Sequence, residues 1–374
     1  MILEIQNNEL LRLIGAAVAA ARQSAANQDL LFETKTGYLN VGGCGPSAEV
    51  AITSVNDKSA AEHAFVVNAT SLADVLAVLP KTIPSTLKLE DSTLKITCGR
   101  SRFRLRTKPA QDFCRFSVLE FSQTSQHIEV DGKQLIKAIK SVMPAVPAND
   151  ARYYLNGVLL DMKPGKLSVV GTDGHRLHRF EIALEQANLQ RQAIIPREVA
   201  RDILVRALDQ GSVVLEPKGN LIEFRSGAYT VRSRVIESRY PDYAHFFTAD
   251  HQAVVTVSRS EFLDLLERAA LIYAETKLRP VVRLAVRNGL IEAQASQEGD
   301  DFFEEVSAQG LDSDDQAVEA AFNVNYLLDA IKPISAATEQ LQLILPPANA
   351  PFSAWRLAGV GDKAYSAVVA PMRI

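Results

Sequence analysis

Hydrophobic and polar positions alternate in the same way at three places along the chain. Glu4–Ile14, Glu129–Ile139 and Thr256–Leu266 each open with a short period-two run. Each then passes a polar turn and continues with apolar residues at helical spacing. That order predicts strand, turn and amphipathic helix. The starts at residues 4, 129 and 256 lie 125 and 127 residues apart. A second pattern recurs in step: Phe65–Asp74, Ala193–Asp202 and Ala320–Asp329 read strand, helix cap, helix. In each, an Asp follows the capping position (Asn68, Pro196, Asn323) by six residues. Alternating β-rich pieces follow at Thr86–Thr107, Ser212–Val235 and Gln340–Leu357, each with a central turn.

The repeat predicts an α+β fold of three similar domains, 1–122, 127–248 and 252–374. Each has two helices packed on antiparallel sheets. A period this long is domain triplication, not a solenoid of small repeats, whose periods run about 20–50 residues. Repeated domains tend to assemble symmetrically, and a ring leaves no free ends.

Composition narrows the function. The 374 residues are 47% apolar and 22% charged, as in an ordinary globular protein. The longest nearly apolar run, Leu13–Ala21, is too short to span a bilayer and is a poor signal peptide. Cys44, Cys98 and Cys114 are isolated, without a C-x-x-C pair, so neither zinc ribbon nor disulfide framework is signalled. A cytoplasmic protein without membrane association is expected. The net charge of −4 gives no global sign of nucleic-acid binding, so any such contact must come from local clusters.

Local clusters exist. Lys133, Lys137 and Lys140 share one helix face, as do Arg197 and Arg201, while Arg12, Arg22, Arg259 and Arg268 flank equivalent helices. Cations recurring on equivalent helices suit a phosphate backbone held without base reading, although a solvated helix face looks the same. Gly99–Arg106 carries four arginines expected on one face of a strand, with Phe103 and Leu105 on the other. Glu298–Glu305 is its acidic counterpart. Together they predict a head-to-tail edge contact between chains, unless each is simply a wet surface.

Thr172-Asp-Gly-His-Arg-Leu177 concentrates an acid, a histidine and an arginine. Asp173, His175 and His178 are too lax a set for a metal, and no nucleophile motif accompanies an Asp173–His175 pair. Gly43-Cys44-Gly45 lacks the remainder of a phosphate loop. No metal, cofactor or catalytic constellation is expected.

These residues nevertheless carry a resemblance. Arg152-Tyr-Tyr-Leu-Asn-Gly157, Thr172–Leu177, Arg239-Tyr-Pro-Asp-Tyr243, Phe322-Asn-Val-Asn-Tyr326 and Pro371-Met-Arg-Ile374 resemble the bacterial DNA polymerase III β subunit, the sliding clamp. The resemblance spans the chain in order. It implies a non-catalytic homodimeric ring that encircles double-stranded DNA and tethers the polymerase. The implied partners are the polymerase III catalytic subunit, the clamp loader, and other polymerases and repair proteins, bound through short linear peptides. The implied peptide pocket comprises Leu155, Thr172, Gly174, His175, Arg176, Leu177, Pro241, Phe246, Asn323, Tyr326, Ser353, Val368, Val369, Pro371, Met372 and Arg373. The implied DNA contacts are Arg22, Lys137, Asn149, Arg152, Tyr153, Tyr154 and Arg197. Ring closure is implied between Arg100, Arg102, Phe103 and Leu105 and, on the other side, Leu271, Ile272, Glu298, Asp300, Asp301 and Glu304. Glu198, His245 and Ala370 depart from residues frequent in that family. A specialised second-copy clamp, or a clamp-like peptide binder that does not encircle DNA, therefore stays open.

Overall fold

The computed structural model describes residues 2–35, 37–56, 62–116, 126–185, 188–208, 211–248, 253–274, 279–310, 317–347 and 353–373. Its helices are α1 (Asn7–Ala21), α2 (Ala69–Val78), α3 (Gly132–Val142), α4 (Val205–Ala207), α5 (His245–Thr248), α6 (Arg259–Leu271) and α7 (Val324–Ile331). A π-helical turn, Val199–Leu204, leads into α4. No described helix is long and apolar enough to cross a membrane.

Local chemistry starts these helices where the pattern places them. The Asn68 side chain accepts from Ser71 N at 2.9 Å and caps α2. Asn323 accepts from Asn325 N at 3.0 Å and caps α7. Asp131 accepts from Gln134 N at 2.8 Å at the head of α3. Ser258, with Glu261 three residues on, opens α6. The second repeat has Pro196 in place of the capping Asn, and there the helix starts at Arg197 and turns π-helical from Val199.

Packing divides the chain into two compact units: Met1–Ile139, Met162–Lys166 and Leu184–Ser238, and Lys140–Asp161, Leu167–Ala183 and Arg239–Ile374. In the first, an antiparallel sheet runs Ile2–Gln6, Pro84–Glu90, Thr93–Cys98, Ser101–Pro109, His63–Asn68, Asp29–Lys35, Gly37–Cys44, Ala48–Asn56, Tyr229–Arg234, Leu221–Ser226, Ser212–Lys218, Ile128–Asp131. In the second, the order includes Gly157–Lys163, Lys166–Thr172, Arg176–Ala183, Tyr365–Val369, Trp355–Gly359, Gln340–Leu345, Ala253–Ser258, Asp300–Gln309, Leu290–Gln297, Val281–Arg287, Val318–Asn323. Buried apolar residues fill the space between sheet and helices, with Leu10, Ile14, Leu72 and Leu76 in the first unit and Phe262, Phe322 and Trp355 in the second.

The three-domain sequence repeat is thus joined by backbone pairing. Each repeat contributes eight strands among the described residues. Inside the first unit, the fourth strand of repeat one (Ala48–Asn56) pairs with the eighth strand of repeat two (Tyr229–Arg234), placing Glu49 opposite Arg232. Inside the second, the fourth strand of repeat two (Arg176–Ala183) pairs with the eighth of repeat three (Tyr365–Val369), placing Leu177 opposite Val368. The middle repeat therefore divides its strands between the two units.

Candidate functional site

The turn after strand Lys166–Thr172 is built by its own polar side chains. Asp173 Oδ1 accepts from the backbone N of His175 (2.9 Å) and Arg176 (3.0 Å). Thr172 Oγ1 donates to Arg176 O at 2.7 Å and accepts from Gly174 N at 3.1 Å. Gly174 has φ +83°, and a β-carbon there would lie 2.7 Å from the Arg152 guanidinium. Arg152 in turn donates to Asp173 O (2.8 Å) and to Asp150 (2.8 Å). The Arg152 hydrogen bonds hold the Asp150 carboxyl down at about 2.

Arg176 is held from every side. It bonds Asp173 (3.1 Å), Asp329, and Pro144 O (2.6 Å), and its guanidinium lies 4.4 Å from the Tyr326 ring centre. With its charge met locally, it serves as a wall and not as a free cation. His175 stacks on Tyr326 at 6.3 Å. Beneath the turn, His178 is fully buried with Nδ1 3.1 Å from Ser141 O. Burial pushes its pKa down to about 4, so it is neutral.

This turn forms one side of a cavity of about 240 Å³ lying wholly in the second unit. Of the implied peptide residues, Leu155, Thr172, Gly174, His175, Arg176, Leu177, Pro241, Phe246 and Val368 line it. Tyr326 borders it through His175 and Arg176. The other implied positions lie elsewhere. Val369 is fully buried in the core. Asn323 spends its side-chain oxygen on the α7 cap. Ser353 is exposed beside Ala354, which does line the cavity. Pro371 and Met372 line a separate groove with Arg283, Arg287 and Glu319, and Met372 N donates to Ala321 O at 2.7 Å. Arg373 is exposed. Lining residues outside the implied set are Arg152, Tyr154, Asp242, Tyr243 and Ala354, together with Ala370, which the sequence marks at the pocket as a departure from the family's frequent residue. Arg239–Tyr243 flagged the neighbourhood of two of them. An apolar cavity with few, fixed polar groups can take an apolar side chain and fix its orientation.

The implied DNA residues fall on both units. In the first, Arg22 caps the end of α1, Lys137 is exposed on α3, and Arg197 opens the second helix of its repeat. Arg22 reaches Asp74 at 3.2 Å. In the second, Asn149, Arg152 and Tyr153 are exposed, and Tyr154 packs edge-on against Tyr153 at 5.9 Å.

Arg102, Phe103, Leu105, Asp300, Asp301 and Glu304 of the implied closure residues lie on two incompletely paired strands. Ser101–Arg106 pairs with Thr93–Cys98, whereas on its other side Ser101–Pro109 is joined, among the described residues, only at Thr107–Pro109. Arg102 is exposed, and Phe103 and Leu105 are half-buried beside Ile96 and Leu94. Arg100, expected on the strand, sits in the preceding turn with Gly99, whose φ is +57°. In the second unit, Asp300–Ser307 pairs with Leu290–Gln297, and its other side is joined only at Ala308 and Gln309. Asp300 and Asp301 are exposed, Glu298 is in the turn at φ +51°, and Glu304 bonds Arg268 Nε at 2.8 Å. Leu271 is 69% exposed at the end of α6, and Ile272 caps it. Among the described residues, no three His, Cys, Asp or Glu side chains converge as a metal site.

Known proteins match this architecture. Family models for the N-terminal, central and C-terminal domains of the DNA polymerase III beta subunit match residues 1–117, 129–242 and 245–373. The beta sliding clamp of Pseudomonas aeruginosa is 30% identical over 367 residues, covering 97% of this chain and 96% of that one. The beta sliding clamp of Caulobacter vibrioides is 34% identical over 266 residues, 69% of each chain. A crystal structure of the Pseudomonas aeruginosa DNA polymerase sliding clamp superposes with a TM-score of 0.86 at 27% identity, covering 100% of both chains. With three domain models in order and a relative matched almost end to end, the chain belongs to the DNA polymerase III beta subunit family, the beta sliding clamps, which are processivity factors and not enzymes.

Proposed function

We propose that two copies of this chain, each of three domains (1–122, 127–248 and 252–374), close head to tail around duplex DNA in the cytoplasm. The cavity at Leu155, Thr172–Leu177, Pro241, Phe246 and Val368 then receives linear peptides of the polymerase III catalytic subunit, the clamp loader, and other polymerases and repair proteins. Tethering by a closed ring raises local polymerase concentration without tightening its grip on DNA.

The observation that carries closure is the repeated strand junction. Twice, a fourth strand pairs with the eighth strand of the following repeat. The fourth strand of repeat three and the eighth of repeat one are left over, and among the described residues each is unpaired along most of one side. Their register follows from equivalence. Glu49 lies twenty residues after Asp29, and Asp301 twenty after Val281, where Asp29 and Val281 pair with the caps Asn68 and Asn323. Arg232 lies twenty residues after Ser212, and Arg104 twenty after Pro84, where Ser212 and Pro84 pair with Asp131 and Gln6. Asp301 and Arg104 thus occupy the places of Glu49 and Arg232, which form an ion pair at 3.5 Å. A second copy would set Asp301 opposite Arg104 of its partner. This supports Arg102, Phe103, Leu105, Asp300 and Asp301 as closure residues and adds Arg104.

Retention on DNA tests the ring. Protein loaded by its clamp loader on a nicked circle should stay bound through high-salt gel filtration, and cutting the circle once should release it. Equal loss from circular and linear DNA would reject encirclement and leave a clamp-like peptide binder.

A further inference from the structure

We propose that Asp74 and Asp202 hold back the arginines of the first unit's helix face and so limit its grip on DNA phosphates. This rests on the assignment of that face to DNA. The starting point is the Asp that recurs six residues after each cap. In the folded chain each copy holds arginine. Asp74 Oδ1 lies 3.2 Å from Arg22. Asp202 lies 2.6 Å from Arg201 and 3.8 Å from Arg206, and its carbonyl oxygen also accepts from Arg206. Asp329 bonds Arg176.

The third case differs in setting. The Arg176 side chain is only 12% exposed, so that pair fixes a wall of the peptide cavity. The first two pairs lie at the surface, where such bridges add little to stability. Their effect is on charge, not on folding. Arg22, Asp202 and Arg206 line one groove of about 430 Å³ with Glu198, between α1 and the π turn. In this region Asp74, Glu198 and Asp202 stand beside Arg22, Arg197, Arg201 and Arg206, so three of the four formal positive charges are offset. A phosphate approaching Arg22, Arg201 or Arg206 meets a carboxylate already paired with it. Displacing the carboxylate leaves an unpaired anion beside the DNA. Fewer counterions are then released on binding, and the salt dependence is shallower than the count of arginines implies.

Full-length wild type and the Asp74→Asn/Asp202→Asn variant should be titrated against a fluorescent duplex of about 30 base pairs over roughly 50–200 mM KCl. The variant should bind several-fold tighter at the low end. Its slope of log affinity against log salt should be steeper by about 2, one for each carboxylate removed. An unchanged or shallower slope, with an unchanged thermal melt, would overturn the proposal. If the melt shows that Asp202→Asn impairs folding, Asp74→Asn with Glu198→Gln, both exposed, provides the same reading. Arg22→Ala/Arg197→Ala separates the two levels. If that variant weakens binding while the Asn variants change nothing, only this proposal fails. If it too leaves binding unchanged, the assignment of the face to DNA fails.

Discussion

Single residues show how little slack the α1 packing has. A β-carbon at Gly43 would sit 2.1 Å from Ala17 O, and one at Gly45 2.2 Å from Ala20 O. Ala16, Ala17, Ala20 and Ala21 are fully buried on the same helix, so small residues on both sides let backbone approach backbone. Gly43-Cys44-Gly45 is thus a packing feature and not a remnant phosphate loop. Gly43→Ala should lower stability by about 2–3 kcal/mol in urea unfolding. A loss below about 0.5 kcal/mol would show that α1 can shift freely. His178 gives a pH signature. Its folded pKa, near 4, is depressed from 6.5, so the unfolded chain binds the proton more readily. Its contribution is fully present above pH 6.5 and is lost as pH falls from 6.5 toward 4, by up to about 3 kcal/mol. His178→Asn should flatten the fall in melting temperature between pH 7 and 5. An identical fall in both proteins would assign that loss to other groups.

Elements were legible in the sequence where they are local, and the strand junctions were not. Caps at Asn68 and Asn323 could be read because a capping side chain and its target lie within three residues. The pairing of Ala48–Asn56 with Tyr229–Arg234 joins residues about 180 apart, and no local pattern encodes it. Arg104 therefore entered the reading as one of four like charges, and its partner emerged only from the register of the folded repeats. The same distance effect hid part of the cavity lining, since Ala354 has no polar or aromatic signal of its own. With Asp301 opposite the partner's Arg104 in the proposed dimer, Arg104→Glu should yield monomer at micromolar concentration. Adding Asp301→Arg in the same chain, which restores opposite charge across the contact, should recover the dimer. Light scattering reads both masses. A double variant no more dimeric than the single one would reject the Asp301–Arg104 register while leaving closure by neighbouring residues intact.

At the scale of the whole molecule, the three-repeat sequence and the two-unit packing assign different tasks to different stretches. Every residue lining the cavity proposed for peptides belongs to the second unit, between Arg152 and Ala370. The arginine-bearing strand Ser101–Pro109, proposed for closure, belongs to the first. Val368 and Val369 are buried strand residues, so deleting the tail from there would remove core and not just a docking surface. A cleaner cut uses side chains. Phe246, 40% exposed on α5, forms a cavity wall without supporting the core. Phe246→Ala should weaken a fluorescent peptide with Leu and Phe anchors by about tenfold, the loss of a buried aromatic contact. It should leave the solution mass and retention on circular DNA unchanged. Arg104→Glu should do the reverse, abolishing retention on circles while keeping peptide affinity within about twofold, because the cavity needs no residue from a second copy. Fluorescence anisotropy and the circle assay, run on both variants, give four results that must divide along this diagonal. If Arg104→Glu also lost the peptide, the cavity would depend on closure, and the pocket described here would be only part of the site.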